Sequence, residues 1–572
     1  TTQLIDLSMI RKTLPAWIKT MKKEVDGLVQ KGAIVKLSPN KVREWIKQNP
    51  TAKVIPSKGV FTIKVPDTFK VRGVACGNKV EVTGLDIYAS GVEAASLRLL
   101  LTIAAESDWD LSAIDVAQAF LNAELNLPYK IALWPPKVFC DAGLCEVGEL
   151  WLVERAIYGL RESPKCWGDN RDAELRAIRI LYEGSPTRFV QSRTDPNMWK
   201  IVKMPTDVLR SKVPVCIRVR IAAFIEPVTV GLMLTSVDDL LAASKAELLR
   251  QIMKHIGEIW KCGDVSSSLD KQDILFLSSR IVKIDNGIQL DQQPYALDLI
   301  DRNGLSEANS TRVAIAADQG MQGQVSESHE EEVDSLMSET VREAQRMAGE
   351  LLWLSQRTRP DLAYAVNVAC STALNDPLRS IRICKGVLRY LIGTANKALM
   401  FFSKKALNGR TQDLDQKWNI DTFKEHFENE IVIGWSDASF AADGAHSFGA
   451  WVITVNGNTV TWKCARQSII SASTAESELL AASEAHVGTL SVNTLLTEVM
   501  PRKFKQLLAV DNAAAVTLAN STGATSWRTR HLRIRAAVLC DSKVPVKHCA
   551  GQVEIADLLT KALPAPRLAM LS

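Results

Sequence analysis

From Leu14 onward, apolar residues recur at helical spacing with Trp17, Met21, Val25 and Leu28 on one face, which predicts a helix over 14–35. Val54–Ala75 alternates Val, Ile and Phe with Lys, and predicts a basic hairpin. The apolar stretch Ala94–Ala105 is broken by Arg98 and is too short to span a membrane, so it predicts a buried helix at about 94–107. Leu111–Val116 reads as a strand. The run Val230–Ala242 is apolar except for Asp238-Asp239 near its end, which predicts two short strands joined by a tight turn. Residues 306–340 are dominated by Ser, Glu, Gln and Gly and predict a long flexible loop or linker. Residues 341–399 read as strongly helical. After a polar stretch at 404–430, apolar patterning restarts at Ile431, which sets a domain boundary there. Ile431–Ser439 reads as a strand carrying an acid near its end. Trp451–Val455 and Asn458–Trp462 read as a hairpin, since Asn456-Gly457 suits the positive φ angles of a type I′ turn. Ser473-Thr-Ala-Glu476 is a capping box opening a helix. There are no internal repeats.

Composition narrows the class without deciding it. A chain of 572 residues predicts three or four domains at about 150 residues each. An apolar content of 47% with 23% charged residues is that of a globular protein able to bury sizeable cores. The net charge of +5 permits nucleic-acid binding without arguing for it, because local clustering is what matters. Eleven cysteines, scattered without CxxC pairs or zinc-type His partners, read as free thiols in a reducing compartment. No signal peptide is visible, and the first residue is Thr rather than Met, which reads as a fragment or processed product.

The chemistry concentrates on acids. Adjacent carboxylates in an apolar stretch repel each other and lose solvation unless cations neutralise them. Asp238-Asp239 on a tight turn therefore suits a pair of hard divalent metals, although most such pairs are solvated turns or caps. Asp115 ends the strand at 111–116, with Phe120 five residues on, and a helix N-cap is its bland reading. Ala156-Ile-Tyr158-Gly159-Leu-Arg161-Glu-Ser-Pro164 is a Gly turn running into a basic segment, or an ordinary loop-to-helix transition.

In their order along the chain these segments resemble the reverse transcriptase of copia-type long-terminal-repeat retrotransposons. The resemblance rests on Lys70-Val-Arg72-Gly-Val-Ala, Ile114-Asp-Val-Ala-Gln-Ala-Phe-Leu-Asn122, Tyr158-Gly-Leu-Arg161 and Ser236-Val-Asp-Asp239. Thr358-Arg-Pro-Asp361-Leu-Ala-Tyr and Leu388–Thr394 are similar to the family's connection segment. The resemblance implies that Asp115, Asp238 and Asp239 bind two Mg2+ ions, with Mn2+ as an alternative, and that Lys70 and Arg72 lie near the triphosphate. It implies Phe120 as a gate against the 2′-hydroxyl, Gly159 as a point of close backbone approach to the nucleotide, and Arg161 as a nucleic-acid contact. Three positions depart from the family pattern: Ser236 where Tyr is usual, Glu162 where Gln is common and Gly168 where an aromatic is common.

A second set of acids follows, each more ordinary alone as a surface residue or cap: Asp437, Glu478, Asp511 and Asp557. At strand ends and helix starts, four such acids suit a two-metal nuclease. Ser436-Asp-Ala, Ser473-Thr-Ala-Glu-Ser-Glu478-Leu-Leu-Ala-Ala, Asp511-Asn-Ala-Ala-Ala, Arg528-Thr-Arg-His531 and Ala556-Asp557-Leu-Leu-Thr-Lys resemble the copia-type ribonuclease H. The resemblance implies those four acids as ligands of a second Mg2+ pair. It also implies phosphate contacts for Arg528, Arg530 and Arg533, with a solvated face nearly as good a reading, and a product-release role for His548, with a plain strand histidine the commoner case.

The expected fold is a multidomain α+β and α/β chain. A reverse transcriptase with fingers, an antiparallel palm backed by helices and a thumb-like part covers 10–300, a linker and helical connection 301–425, and a mixed-sheet ribonuclease H-like domain 430–565. The resemblance implies an RNA template, a DNA or tRNA primer, deoxynucleoside triphosphates, the RNA–DNA hybrid and other Pol- or Gag-derived proteins as partners. It implies no membrane, and a location in cytoplasmic virus-like particles with a nuclear stage also open. A decayed copy that only binds nucleic acid, or a ribonuclease H with an inactive polymerase half, stay open as alternatives.

Overall fold

The computed structural model describes residues 2–64, 68–79, 87, 90–203, 228–319, 335–407, 430–442, 446–521 and 532–572. At the N-terminal end, a six-stranded sheet joins Lys53–Lys64, Thr68–Ala75, Ile131–Trp134, Leu150–Val153, Ile34–Leu37 and Thr2–Leu4. Helix Leu14–Gln30 buries Trp17, Met21, Val25 and Leu28, the face its spacing predicts, and Trp17 meets Phe61 and Phe69 edge-on. The helix stops short of residue 35 because Gly32 turns the chain at φ +64° into the strand Ile34–Leu37. The basic hairpin is present as Lys53–Lys64 paired antiparallel with Thr68–Ala75.

The central sheet has seven strands, all antiparallel, with Asp110–Asp115, Asp239–Ser244, Val228–Ser236 and Met198–Lys203 side by side. Both of its faces are covered, which explains the nearly unbroken apolar run around Asp238. Leu232, Leu234, Leu241 and Ala243 pack toward helix Ala94–Glu106, while Met233, Leu240 and Ala242 pack toward helices Ser163–Ala177 and Ala246–Ile259. Alternate residues thus serve opposite cores.

Beyond it, helices Ser335–Arg357, Ala363–Thr372 and Pro377–Thr394 pack together. The first begins inside the stretch expected to be loop. Its buried apolar stripe (Ala344, Met347, Leu351, Leu354) starts only later, past a run of Ser, Glu, Thr and Arg, so composition concealed it. Arg359 and Asp361 form a buried ion pair at 2.8 Å, and the Tyr390 hydroxyl donates to Asp361 at 3.0 Å, which ties the Thr358–Tyr364 segment to the last helix. The stretches 320–334 and 408–429 of the two expected polar linkers lie outside the described residues.

The last sheet runs Asn458–Arg466, Phe448–Val455, Ile431–Ser439, Lys505–Val510, Val546–His548, antiparallel at the first two junctions and parallel at the last two. Its first hairpin turns at Asn456-Gly457 with φ +48° and +80°, as expected. The fold is therefore the expected mixture of an antiparallel palm-type sheet, a helical connection and a mixed sheet.

Hydrogen bonding crosses the boundaries expected from sequence. Gly287–Asp291 pairs with Leu399–Phe402, and the core of helix Ala94–Glu106 continues into Val432, Ile453, Val455 and Val460. Arg98 sits at that junction. Its guanidinium donates to the carbonyls of Val460 at 2.5 Å and of Gln356 and Arg357 at 2.9 Å, and stacks on Trp462 at 3.9 Å. Burial pulls its pKa down to about 9. Glu498 adds a second tie, accepting from the backbone N–H of Arg193 and Thr194 and from the Ser192 hydroxyl. Among the described residues, no helix is long and apolar enough to cross a membrane.

Candidate active sites

The hairpin Val228–Ser236/Asp239–Ser244 closes on two residues, Val237 and Asp238, with Ser236 opposite Asp239. Asp239 in turn lies opposite Asp115, and the Val116 N–H donates to the Asp238 carbonyl at 2.8 Å. One oxygen from each of Asp115, Asp238 and Asp239 falls within 4.8 Å of the others. Burial, then the charges of Asp238 and Asp115, push the Asp239 carboxyl up to about 6. Three acids crowded at one sheet edge suit a divalent cation.

Val237 holds φ +35°, a conformation that strains a β-branched residue by on the order of 1–3 kcal/mol. Trp167, buried against Trp260, donates its indole N–H to the Val237 carbonyl and so braces this turn. The next residue, Gly168, leaves open space within 4 Å of where a Cβ would stand, and it lines a cavity of about 210 Å³ with Trp167 and Val237. Gly168 lies in a helix interior without a positive φ, so Gly168→Ala should raise stability by about 1 kcal/mol. Chemical denaturation of the two proteins checks this; an unchanged or lower stability contradicts the open space.

Phe120 stands on a short 3-10 turn after Asp115 and meets the Tyr158 ring edge-on at 5.5 Å. The Arg72 guanidinium lies 4.4 Å from the centre of the same Tyr158 ring. Lys70, two residues away on the strand, is exposed, as is Arg161. Burial raises the Tyr158 hydroxyl pKa, and Asp238 and Asp115 add to the shift. Tyr158 thus links the acids to the basic strand, a role the sequence motif did not specify. At Gly159, φ is +89° and a Cβ would stand 2.2 Å from the Ala75 carbonyl, so what comes close there is the protein's own strand. Glu162, one of the departures, is buried and accepts from the Tyr129 hydroxyl at 2.8 Å.

The second cluster forms from three elements. Asp437 is on the central strand and 1% exposed, Glu478 is in helix Thr474–Val499 and 4% exposed, and Asp511 follows strand Lys505–Val510. Oxygens of the three lie within 4.8 Å of one another. Gly434 permits the approach: a Cβ there would stand 2.4 Å from Thr489 Oγ1, so only glycine lets the helix settle this closely on the strand. The helix start is as expected, with Ser473 accepting from the Glu476 N–H and Glu476 accepting from the Ala472 N–H. Burial and the charges of Asp437 and Asp511 push Glu478 up to about 10, and burial raises Asp437 to about 6. Glu478 Oε2 is buried with no hydrogen-bond partner, an orphaned acceptor aimed into a group of acids, so these residues fit a divalent cation.

Asp557 stands beside this cluster and outside the group of three. Lys561 Nζ bridges Asp557 Oδ1 at 2.5 Å and Asp437 Oδ1 at 3.3 Å, and Arg567 holds the other Asp557 oxygen at 3.2 Å. The Thr560 hydroxyl donates to Asp437. Sequence reading passed over Thr560 and Lys561, although both stand in the quoted Ala-Asp-Leu-Leu-Thr-Lys segment. His548 is exposed at a strand end opposite Val510; burial raises the Asp511 pKa, with Lys561 pulling against it. Arg528 and Arg530 lie outside the described residues, while Arg533 opens the helix Arg533–Asp541.

A profile of the family described as "Reverse transcriptase (RNA-dependent DNA polymerase)" matches residues 40–186. The chain is 23% identical over 569 residues to the retrovirus-related Pol polyprotein from transposon TNT 1-94 of Nicotiana tabacum, covering 96% of this chain and 37% of that protein. It is 24% identical over 532 residues to the corresponding polyprotein from transposon RE1 of Arabidopsis thaliana, covering 89% and 31%. The chain thus spans about a third of the length of these relatives. A foamy viral protease-reverse transcriptase solved with double-stranded DNA aligns over 93% of this chain and 69% of its own, at 11% identity and a TM-score of 0.49.

Proposed function

We propose, on the premise that the chain belongs to the copia-type retrotransposon Pol polyproteins, that it copies RNA into DNA at Asp115, Asp238 and Asp239 and cuts the RNA strand of the product at Asp437, Glu478 and Asp511. The observation that carries this reading is the convergence of three carboxylates from two strands and a turn at one edge of the antiparallel sheet. Bound Mg2+ would neutralise those charges, activate the primer hydroxyl and stabilise the departing pyrophosphate.

The chain's own residues supply position. Trp167 fixes the turn that presents Asp238. Tyr158, stacked under Arg72, fixes the Phe120 ring, against which the sugar of an incoming nucleotide would rest. Lys70 and Arg72, on one strand face, would meet the triphosphate. In the second site Thr560 and Lys561 hold Asp437. Asp557, held beside the three acids by Lys561 and Arg567, would complete the set as a fourth ligand of a bound cation. The hybrid would be recognised through groove shape and 2′-hydroxyls.

Primer extension on an RNA template with deoxynucleotides and Mg2+ tests the first activity, and cleavage of a labelled RNA–DNA hybrid tests the second. Absence of both overturns the reading. Because Phe120 is buttressed by Tyr158, Phe120→Ala should raise ribonucleotide over deoxynucleotide incorporation by about tenfold or more, a change of roughly 1.4 kcal/mol. An unchanged ratio with extension still measurable makes Phe120 a packing residue only.

A further inference from the structure

After the strand Ile131–Trp134 of the six-stranded sheet, two thiols stand against each other. Cys140 Sγ and Cys145 Sγ are 2.8 Å apart and both cysteines are half-buried. The backbone enforces this meeting. Helix Lys137–Asp141 ends with Gly143 at φ +72°. The Leu144 N–H donates to the Phe139 carbonyl at 3.0 Å and the Gly143 N–H to the Cys140 carbonyl at 2.9 Å, the paired bonds of a Schellman cap. That cap reverses the chain and returns Cys145 onto Cys140. Lys36 Nζ pins the turn further by donating to the Leu144 carbonyl at 3.0 Å. Sequence spacing alone gave no hint of the pair.

We propose that Cys140 and Cys145 form a reversible dithiol–disulfide site, closed by a small-molecule disulfide such as glutathione disulfide. Cys140 attacks first, giving its proton to solvent, because burial, Cys140 itself and Glu149 hold the Cys145 thiol up and keep it protonated. Its sulfur bonds to one sulfur of the oxidant and expels the other as a glutathione thiolate. Cys145, losing its proton to solvent, then attacks Cys140 Sγ and expels the second glutathione. Two electrons pass from the protein to the oxidant, two glutathione thiols leave, and the protein loses two hydrogens. Exchange of this kind suits a compartment where thiols are otherwise reduced.

The consequence is local stiffening of a support. Phe139, next to Cys140, is fully buried, packs on Trp151 at 6.3 Å and lies against Gly59 and Gly73 of the hairpin that carries Lys70 and Arg72. A closed bond would lock the cap on which that ring is seated.

The test uses the full chain exposed to glutathione disulfide and then to excess reduced glutathione. Intact mass should fall by two hydrogens and return, and peptide mapping should link Cys140 to Cys145. Cys145→Ser should instead hold one glutathione on Cys140. The exposed Cys370 serves as an internal control for unpaired modification. Two separate glutathione adducts on Cys140 and Cys145, or two thiols that stay alkylatable throughout, overturn the proposal. So does a link from either cysteine to a different partner.

Discussion

Asp238→Asn should lower primer extension by roughly 10²–10³-fold, the scale of losing one preorganised charge-stabilising group, while hybrid cleavage by the same preparation stays near wild type. Asn keeps the shape of the turn, and the bond from the Val116 N–H to the residue 238 carbonyl involves only backbone. What is lost is one of three charges that would face the cations. The fold should not suffer. Asp238 is one of the neighbours that raise the Asp239 pKa, so removing its charge relieves repulsion. The second site draws its carboxylates from other strands, hence the expected separation of the two activities. Extension at the wild-type rate would refute the assignment of Asp238.

Glu478→Gln should abolish cleavage of the RNA strand, again by roughly 10²-fold or more, and should raise the melting temperature measured in chelator. Glu478 is buried beside Asp437 and Asp511, with one oxygen lacking any partner. Without metal the site holds Glu478 protonated up to about pH 10, whereas the unfolded carboxyl is ionised at neutral pH, so folding costs a proton uptake that the amide does not need. Added Mg2+ should then stabilise the wild type more than the variant, because binding to the native state shifts its stability by mass action. Glu476→Gln is the matched control. Glu476 accepts from the Ala472 N–H at the exposed helix start, so its loss costs at most about 1 kcal/mol and little activity. Glu476 essential and Glu478 dispensable would reverse the assignment of this helix face.

Much of this is legible in the sequence itself. Apolar runs give away strands covered on both faces, and acids inside such runs stand out because burial makes them expensive. Asn456-Gly457 and Ser473 acted locally, through their own φ angles and a single cap bond, and local signals survive in sequence. The rest depended on meetings between distant residues. Trp167 bracing Val237, Gly434 admitting Thr489, Tyr158 linking Arg72 to Phe120 and Lys561 bridging two aspartates all join different elements. Nothing in the spacing of either partner announces such a pair. Gly159 shows the same limit from the other side: its need for glycine was visible, and the strand that imposes it was not.

Arg98 stood out in the sequence only as a charge interrupting an apolar helix. Set among the carbonyls of Val460, Gln356 and Arg357, it makes that helix common property of the central sheet and the C-terminal sheet. A truncation before Ile431 would take away the Val460 acceptor and the Trp462 ring, leave the guanidinium only the Gln356 and Arg357 carbonyls, and lay bare the apolar face around Leu97 and Ile103. The excised C-terminal piece would in turn expose Ile453, Val460 and Leu495 to water. Neither half is then a module that can be traded alone. A chimera that imports this C-terminal sheet from a relative must import the matching Ala94–Glu106 helix with it, or inherit two mismatched greasy faces prone to aggregation.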